Sequence, residues 1–279
     1  MRRLQLGQVE VVHISGGYFR LDGGTMFGVV PKTMWANHAV PDARNRIRLG
    51  CNCLLVRTPD TLALVDTGFG TRMDEHAREV YGVESGPSLL QSLGQAGVER
   101  DDIDLVILSH LHFDHLAGSL CIEEDQLKAT FPCATHCVQR GEWRDALDGR
   151  STMRSSYRPE DLRALQEQVS LNLLYGDSEL TPHISTFITG GHTEWHQGIV
   201  VTGSEQRLIF PGDLLPTRIH LRTYWNMAYD MFPPQTIERK KQLIGDALRN
   251  DWIIAWDHDP TAPWSRLKKE DDHIIACDL

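Results

Sequence analysis

The chain has 279 residues, with 28 Lys and Arg against 38 Asp and Glu, and so a formal net charge of −10. Its 41% hydrophobic share and 23 glycines are those of an ordinary globular protein, which excludes disordered, collagenous and low-complexity classes. The acidic balance excludes a broad nucleic-acid or anionic-membrane surface, and no run of about 18 apolar residues is present to span a bilayer.

Taken in chain order, the pattern is strands interleaved with helices. Residues 4–14 alternate and predict a strand. The N-terminus has two arginines but no continuous apolar stretch behind them, so no signal peptide is expected, and the expected location is cytoplasmic. Residues 15–50 read as a long irregular segment, and a connection of that length is expected to work as a lid or binding loop. Residues 51–68 predict two strands joined by a Pro-Asp turn. Residues 72–82 and 87–97 predict helices, the second stopped by Gly97. Residues 103–110 form a continuous apolar run that fits a buried strand.

Further on, 135–139 predicts a strand and GEWRDAL and RPEDLRALQEQVS predict helices, with Pro159 suited to a first turn. Residues 183–189, 198–203 and 206–210 predict strands, the last two a hairpin across Gly203-Ser204. Residues 236–250 predict an amphipathic helix with Ile237, Leu243, Ile244, Ala247 and Leu248 on one side. Residues 251–256 predict a final buried strand. No linker or repeat breaks the pattern, so one α/β domain over 1–279 is expected. Six cysteines are too few for a disulfide scaffold. Cys133 and Cys137 lack a second pair to complete a zinc knuckle, so free thiols in a reducing compartment are expected.

The chemistry concentrates in His110-Leu111-His112-Phe113-Asp114-His115, directly after an apolar strand. His110 and His112 are two apart, so on an extended strand end both imidazoles point the same way. Imidazole with carboxylate is the ligand set of zinc and related first-row metals. Three more corners repeat the pattern of apolar strand, turn, then ligand-type residue: Gly190-Gly191-His192-Thr193, Pro211-Gly212-Asp213, and Asp257-His258-Asp259-Pro260. In α/β sheets function collects at such strand ends.

The HLHFDH segment, with VDTG at 65–68 upstream and GGHT, GD and HD downstream, resembles the metallo-β-lactamase superfamily over almost the whole chain. DGGTMFGVVPK (22–32), LPTRIH (215–220) and WNMAYD (225–230) further resemble the YtnP-like quorum-quenching lactonases, which hydrolyse N-acyl-homoserine lactones. The resemblance implies an αββα sandwich, two mixed sheets flanked by helices. It also implies two divalent metal ions, zinc first, with cobalt, manganese or iron accepted by the same ligands. His110, His112 and His192 would hold one ion, Asp114, His115 and His258 the other, and Asp213 would bridge them. Asp66 would orient a histidine ligand, and His196 is a candidate for a similar supporting role.

Two divalent cations bring +4, the two carboxylates −2, and a bridging hydroxide leaves about +1, poised for an anionic transition state. That hydroxide would attack the lactone carbonyl, and Asp114 would carry a proton to the leaving alkoxide. Where several such lactonases place a tyrosine three residues after the bridging aspartate, this chain has Pro216. Tyr224, Tyr229 and His220 are candidates to replace it, Tyr229 first. Met26, Phe27 and Trp35, with Trp225 and Met227 opposite, are expected to form an acyl channel. The same residues also suit plain packing or a contact between two copies of the chain, a homodimer.

The expected partner is a small lactone or ester, not nucleic acid or membrane. Two rivals remain. One is another ester, thioester or organophosphate triester hydrolase on the same site, although the short mixed-charge tail disfavours a glutathione thioester. The other is an iron-dependent oxidoreductase of the same fold, disfavoured by the full dinuclear ligand set.

Overall fold

The computed structural model describes residues 1–150 and 154–279. The first half runs β1 (Arg3–Leu6), β2 (Val9–Asp22), α1 (Gly23–Phe27), α2 (Lys32–Trp35), β3 (Arg46–Arg57), β4 (Leu62–Val65), α3 (Glu75–Val80), α4 (Leu89–Gln95), β5 (Leu105–Ile107) and α5 (Phe113–Leu116). A small hairpin, β6 (Leu120–Glu123) and β7 (Gln126–Ala129), precedes β8 (Thr135–Gln139), α6 (Arg140–Asp148), α7 (Pro159–Gln168) and β9 (Ser170–Leu174). The second half runs β10 (Ser178–Thr181), β11 (Ile184–Ile188), β12 (Gln197–Thr202), β13 (Arg207–Phe210), α8 (Pro233–Asn250), β14 (Ile253–Ala255), β15 (Trp264–Glu270) and β16 (His273–Asp278).

These strands form two seven-stranded mixed sheets, in the orders β1-β2-β3-β4-β5-β8-β9 and β10-β11-β12-β13-β14-β15-β16. Strand alternation explains why the sheets stack. On β3, β4, β13 and β14, the residues Leu54, Val56, Ala63, Val65, Leu208, Phe210, Ile253 and Ala255 point into one shared core between the sheets. The intervening residues point outward. Leu55 and Leu64 meet α4, α6 and α7 through Leu89, Leu93, Trp143, Leu162 and Leu165. Ile209 and Ile254 meet α8 through Leu243, Ile244 and Ala247. The result is helix, sheet, sheet, helix, with each fully buried aliphatic side chain contributing roughly 1.5–3 kcal/mol.

Local sequence sets the helix ends. Ser88 and Gln91 form a reciprocal capping box at the start of α4. Pro233 and Pro234 open α8, where missing amide donors cost nothing, and Asp251 closes it in the left-handed conformation. No helix among the described residues is long and apolar enough to cross a membrane.

Two expectations are corrected. The 15–50 segment is not irregular throughout. β2 continues to Asp22 and pairs antiparallel with β3, which begins at Arg46. Gly16-Gly17 sits at a register shift between Ser15 and Tyr18, so a bulge in one strand mimics a strand end in the sequence. Only 23–45 leaves the sheet, through α1 and α2. Second, β14 is not the last strand, since the tail adds the antiparallel pair β15 and β16. On β15 only Trp264 and Leu267 are buried apolar residues, while Arg266, Lys268, Lys269 and Glu270 are charged; β16 beyond it forms the sheet edge.

Candidate metal centre

The ligand-type residues leave their strands at one common edge. β4, β5 and β8 are parallel, as are β13 and β14, so their C-terminal ends open on the same side. Asp66 follows β4, and His110, His112, Asp114 and His115 follow β5. His192 follows β11, Asp213 follows β13, and His258 follows β14. His112 is still extended as the N-cap residue of α5, and the first turn of that helix carries Asp114 and His115. The chain thus approaches one point from two directions. His110, His112, Asp114, His115, His192, Asp213 and His258 are all buried.

Two groups of ligand atoms gather there. His110, His112, His192 and Asp213 form one, and His115, Asp213, Asp257 and His258 form the other, each within 4.8 Å. In the first, His192 Nε2 lies 3.0 Å from Asp213 Oδ2 and 3.1 Å from His112 Nδ1, and His110 Nε2 lies 3.8 Å from Asp213 Oδ2. These are close to the edge of about 3.4 Å expected for four ligands around an ion at 2.1 Å. In the second, His258 Nε2 is 3.2 Å from Asp213 Oδ1, and His115 Nε2 is 3.8 Å from Asp213 Oδ2. Asp114 stands beside both, 3.8 Å from His115 and 3.7 Å from His258. Asp213 therefore stands between the groups, with Oδ2 toward His110, His192 and His115 and Oδ1 toward His258. Among the described residues, the Nε2 atoms of His110 and His115 are buried without a hydrogen-bond partner. Unpaired buried nitrogens are costly, and lone pairs converging on carboxylates fit a cation.

The opposite ring nitrogens are held. His115 Nδ1 donates to Asp66 Oδ2 at 2.8 Å. Asp66 also accepts from Ser109 N at 2.7 Å and Ser109 Oγ at 2.8 Å. His258 Nδ1 donates to Gly50 O at 2.7 Å, and His192 Nδ1 pairs with Asp230 Oδ1 at 3.1 Å. These bonds select the tautomer that aims Nε2 into the centre. His196 acts differently. Its Nε2 accepts from the Asp213 backbone N–H at 3.1 Å, while its Nδ1 pairs with Thr189 Oγ1, so it fixes the turn that presents Asp213. That turn also needs Gly212, whose φ is +53° and where a Cβ would sit 2.7 Å from His196 Nε2.

The electrostatics favours positive charge at the centre. Burial and neighbouring imidazoles push His110 and His112 far below the ordinary range, so both stay neutral with free lone pairs. Burial opposes charging His115, but Asp114 and Asp66 outweigh it and raise its pKa to about 9. Likewise burial of His192 is outweighed by Asp213 and Asp230, which raise it to about 10. Asp257, by contrast, is pushed up to about 8, first by burial and then, against the pull of His258, by Asp213. Protons or metal cations can answer this field, and the donor set is that of a metal.

Above the centre lies a cavity of about 190 Å³, lined by Leu21, Met26, Tyr81, Phe113, Met227 and Tyr229 with Ser155 and Ser156, and with His112, Asp114, His192, Asp213 and His258 at its floor. The expected acyl channel is only partly assembled. Met26 and Met227 reach the cavity, but Phe27 and Trp35 are buried and stacked on each other at 5.4 Å. Trp225 packs edge-on to Phe27 at 5.7 Å. These three rings wedge α1 and α2 onto the domain and do not line the cavity. His220 is also displaced from its expected role. Both its nitrogens are engaged, with Thr217 Oγ1 at 2.8 Å and Met26 O at 2.9 Å, and its ring stacks on Phe27. Tyr229 does line the cavity, and its hydroxyl donates to Thr25 Oγ1 at 2.6 Å. Tyr224 is exposed.

Three residues escape the sequence reading. Asp230 was visible only as the end of MAYD. Glu142 is buried within α6 and accepts from Leu111 N, Tyr157 Oη and Thr193 Oγ1, tying the two histidine-bearing loops together. A glutamate in the first turn of a helix carries no sequence signal for such a bond. Asp257 stood in a noted corner but without a role.

The sequence profile of the metallo-beta-lactamase superfamily matches residues 46–258, and the chain belongs to that superfamily. Among curated proteins it is similar to the N-acyl homoserine lactonase AiiA of Bacillus thuringiensis subsp. kurstaki, 28% identical over 163 residues, 53% of this chain and 57% of that protein. It is likewise 28% identical over 182 residues to the N-acyl homoserine lactonase AttM of Rhizobium radiobacter, 62% of this chain and 64% of the other. The chain thus spans less than two thirds of the length of these relatives. Among solved structures, a probable metal-dependent hydrolase from Staphylococcus aureus superposes with a TM-score of 0.89 at 28% identity, covering 99% of each chain. AidC, a dizinc quorum-quenching lactonase in complex with its product, superposes at 0.80 with 21% identity, over 100% of this chain and 97% of the other, and so shares the fold.

Proposed function

We propose that this chain is a dinuclear metal-dependent hydrolase that opens a lactone ring, with N-acyl-homoserine lactones the favoured class. The observation that carries the reading is a pair of buried imidazole–carboxylate groups that share Asp213, with His112, Asp114, His192, Asp213 and His258 at the floor of a cavity. The lactonase relatives support the substrate class. Bound there, two divalent ions would bring the pKa of water near neutrality and polarise a carbonyl oxygen.

The protein's own groups do the rest. Asp213, with Oδ2 toward His110, His115 and His192 and Oδ1 toward His258, would be shared by both positions. Asp114, at the floor beside His115 and His258, takes a proton from the attacking water and returns it to the departing ring oxygen. The Tyr229 hydroxyl, already oriented by Thr25, can turn to the substrate carbonyl. Leu21, Met26, Phe113 and Met227 exclude water and seat an acyl chain. Among the described residues the cavity lining contains no Lys or Arg, which favours a neutral lactone over an anionic thioester. We take residues 1–279 as one functional unit, with the 15–50 segment contributing Leu21 and Met26 to the wall.

The test is a pH-indicator assay of the purified metal-loaded protein against homoserine lactones of several chain lengths, an aryl ester and a phosphotriester. Lactone opening with proton release is expected, together with loss of both metal and activity in Asp213→Ala. Turnover of the phosphotriester or aryl ester alone would remove the lactonase reading and keep the hydrolase. A coloured iron protein that consumes oxygen would remove both.

A further inference from the structure

Asp257 and Asp259 flank His258 and have opposite environments. Asp259 is saturated. One oxygen accepts from Thr261 N, Thr261 Oγ1 and Ala262 N, and the other pairs with Arg218. It is a structural carboxylate that ties a loop. Asp257 is equally buried, at 2% exposure, yet among the described residues neither of its oxygens has a hydrogen-bond partner. Its backbone carbonyl accepts from Asn52 N at 2.7 Å, so the residue is held in place while its side chain turns to the centre. There it lies within 4.8 Å of ligand atoms of His115, Asp213 and His258, and 3.9 Å from His258 Nε2. A buried carboxylate with no donor, placed beside other carboxylates, is a costly arrangement unless a cation joins it.

We propose that Asp257 is a further protein ligand of the second metal position, giving that position three carboxylates and two imidazoles and a different metal preference from the first. The inference rests on the two-metal reading above. The first position, with His110, His112, His192 and one oxygen of Asp213, has the four nitrogen-rich ligands that zinc takes. The second, with Asp114, Asp213, Asp257, His115 and His258, is oxygen-rich and of higher ligand number, which suits manganese or ferrous iron. Asp257 also removes the residual positive charge counted from two cations, two carboxylates and a hydroxide. The loaded centre is then neutral and does not attract anionic substrates.

The experiment compares wild type with Asp257→Asn, an isosteric change that keeps the backbone contact to Asn52. Chelator-stripped protein is titrated with zinc alone, and with manganese after one equivalent of zinc. Bound metal is counted by mass spectrometry of the dialysed protein, and bound manganese is read by paramagnetic resonance. Wild type is expected to hold one zinc and one manganese. Asp257→Asn is expected to keep the first zinc unchanged and to bind the second-position manganese at least about tenfold more weakly, with a smaller loss for zinc there. Circular dichroism of the stripped proteins should coincide. Manganese and zinc affinities within twofold of wild type would overturn the proposal while leaving the two-metal reading intact. A wild-type protein that holds fewer than two metals overturns both.

Discussion

Asp66→Asn isolates the orienting role of one carboxylate without changing volume. Asp66 accepts three bonds: Ser109 N at 2.7 Å on Oδ1, and Ser109 Oγ and His115 Nδ1, each at 2.8 Å, on Oδ2. An asparagine keeps its oxygen on the Ser109 amide, because that N–H cannot turn. Its NH₂ then faces His115 Nδ1. Donor meets donor, unless the imidazole moves its proton to Nε2, the atom aimed at Asp114 and Asp213. The first outcome pushes the ring out of its orientation, and the second costs the second position a ligand lone pair. Replacing such an orienting partner weakens metal affinity by about 10–100-fold, or about 1.4–2.7 kcal/mol. Competition against a graded chelator at constant pH measures this directly. The first position, which Asp66 reaches only through Ser109 Oγ and its 3.1 Å contact to His110 Nδ1, should lose less affinity than the second. An Asp66→Asn protein whose two affinities both stay within twofold of wild type would refute the tautomer argument.

Tyr229→Phe should leave metal content unchanged and lower kcat on a lactone or ester by about 10² if the hydroxyl meets the developing oxyanion; equal rates would return Tyr229 to a packing role. Gly118→Ala should destabilise by about 1–3 kcal/mol or more, because a Cβ there would lie 2.0 Å from Thr67 O in the turn that follows Asp66, and a lowered thermal midpoint checks it. His136 lies away from the centre, and burial holds its pKa down at about 4. Below pH 6.5 the unfolded chain takes up a proton that the folded chain refuses until about pH 4. Stability from this group is therefore full above pH 6.5 and falls by about 1.4 kcal/mol per pH unit on acidification through that window. Urea midpoints of wild type should fall more steeply than those of His136→Gln between pH 6.5 and 4, and parallel slopes would refute the assignment.

What could be read from the residues alone was local or periodic. The alternation of 62–65 and 207–210 identifies strands, because a side chain's face is set by parity within the strand itself. The tight spacing of His110, His112, Asp114 and His115 identifies a metal-type cluster, because those four positions share one strand end and one helical turn. The distant corners at His192, Asp213 and His258 were legible because each repeats the sequence of apolar strand, turn and ligand. Other features depend on which chain segments meet. The bulge at Gly16-Gly17 disguised the continuation of β2, since only pairing with β3 shows that Phe19 and Leu21 are still in the sheet. His220 and Phe27 looked available for a pocket until packing engaged both nitrogens of the one and stacked the ring of the other. The contrast between Asp257 and Asp259 is of the same kind. Two aspartates one residue apart are equivalent in a sequence, and only the folded chain gives one a full set of donors and leaves the other facing three potential ligands. Hydrogen-bond satisfaction is a property of neighbours in space, and those neighbours come from segments far apart along the chain.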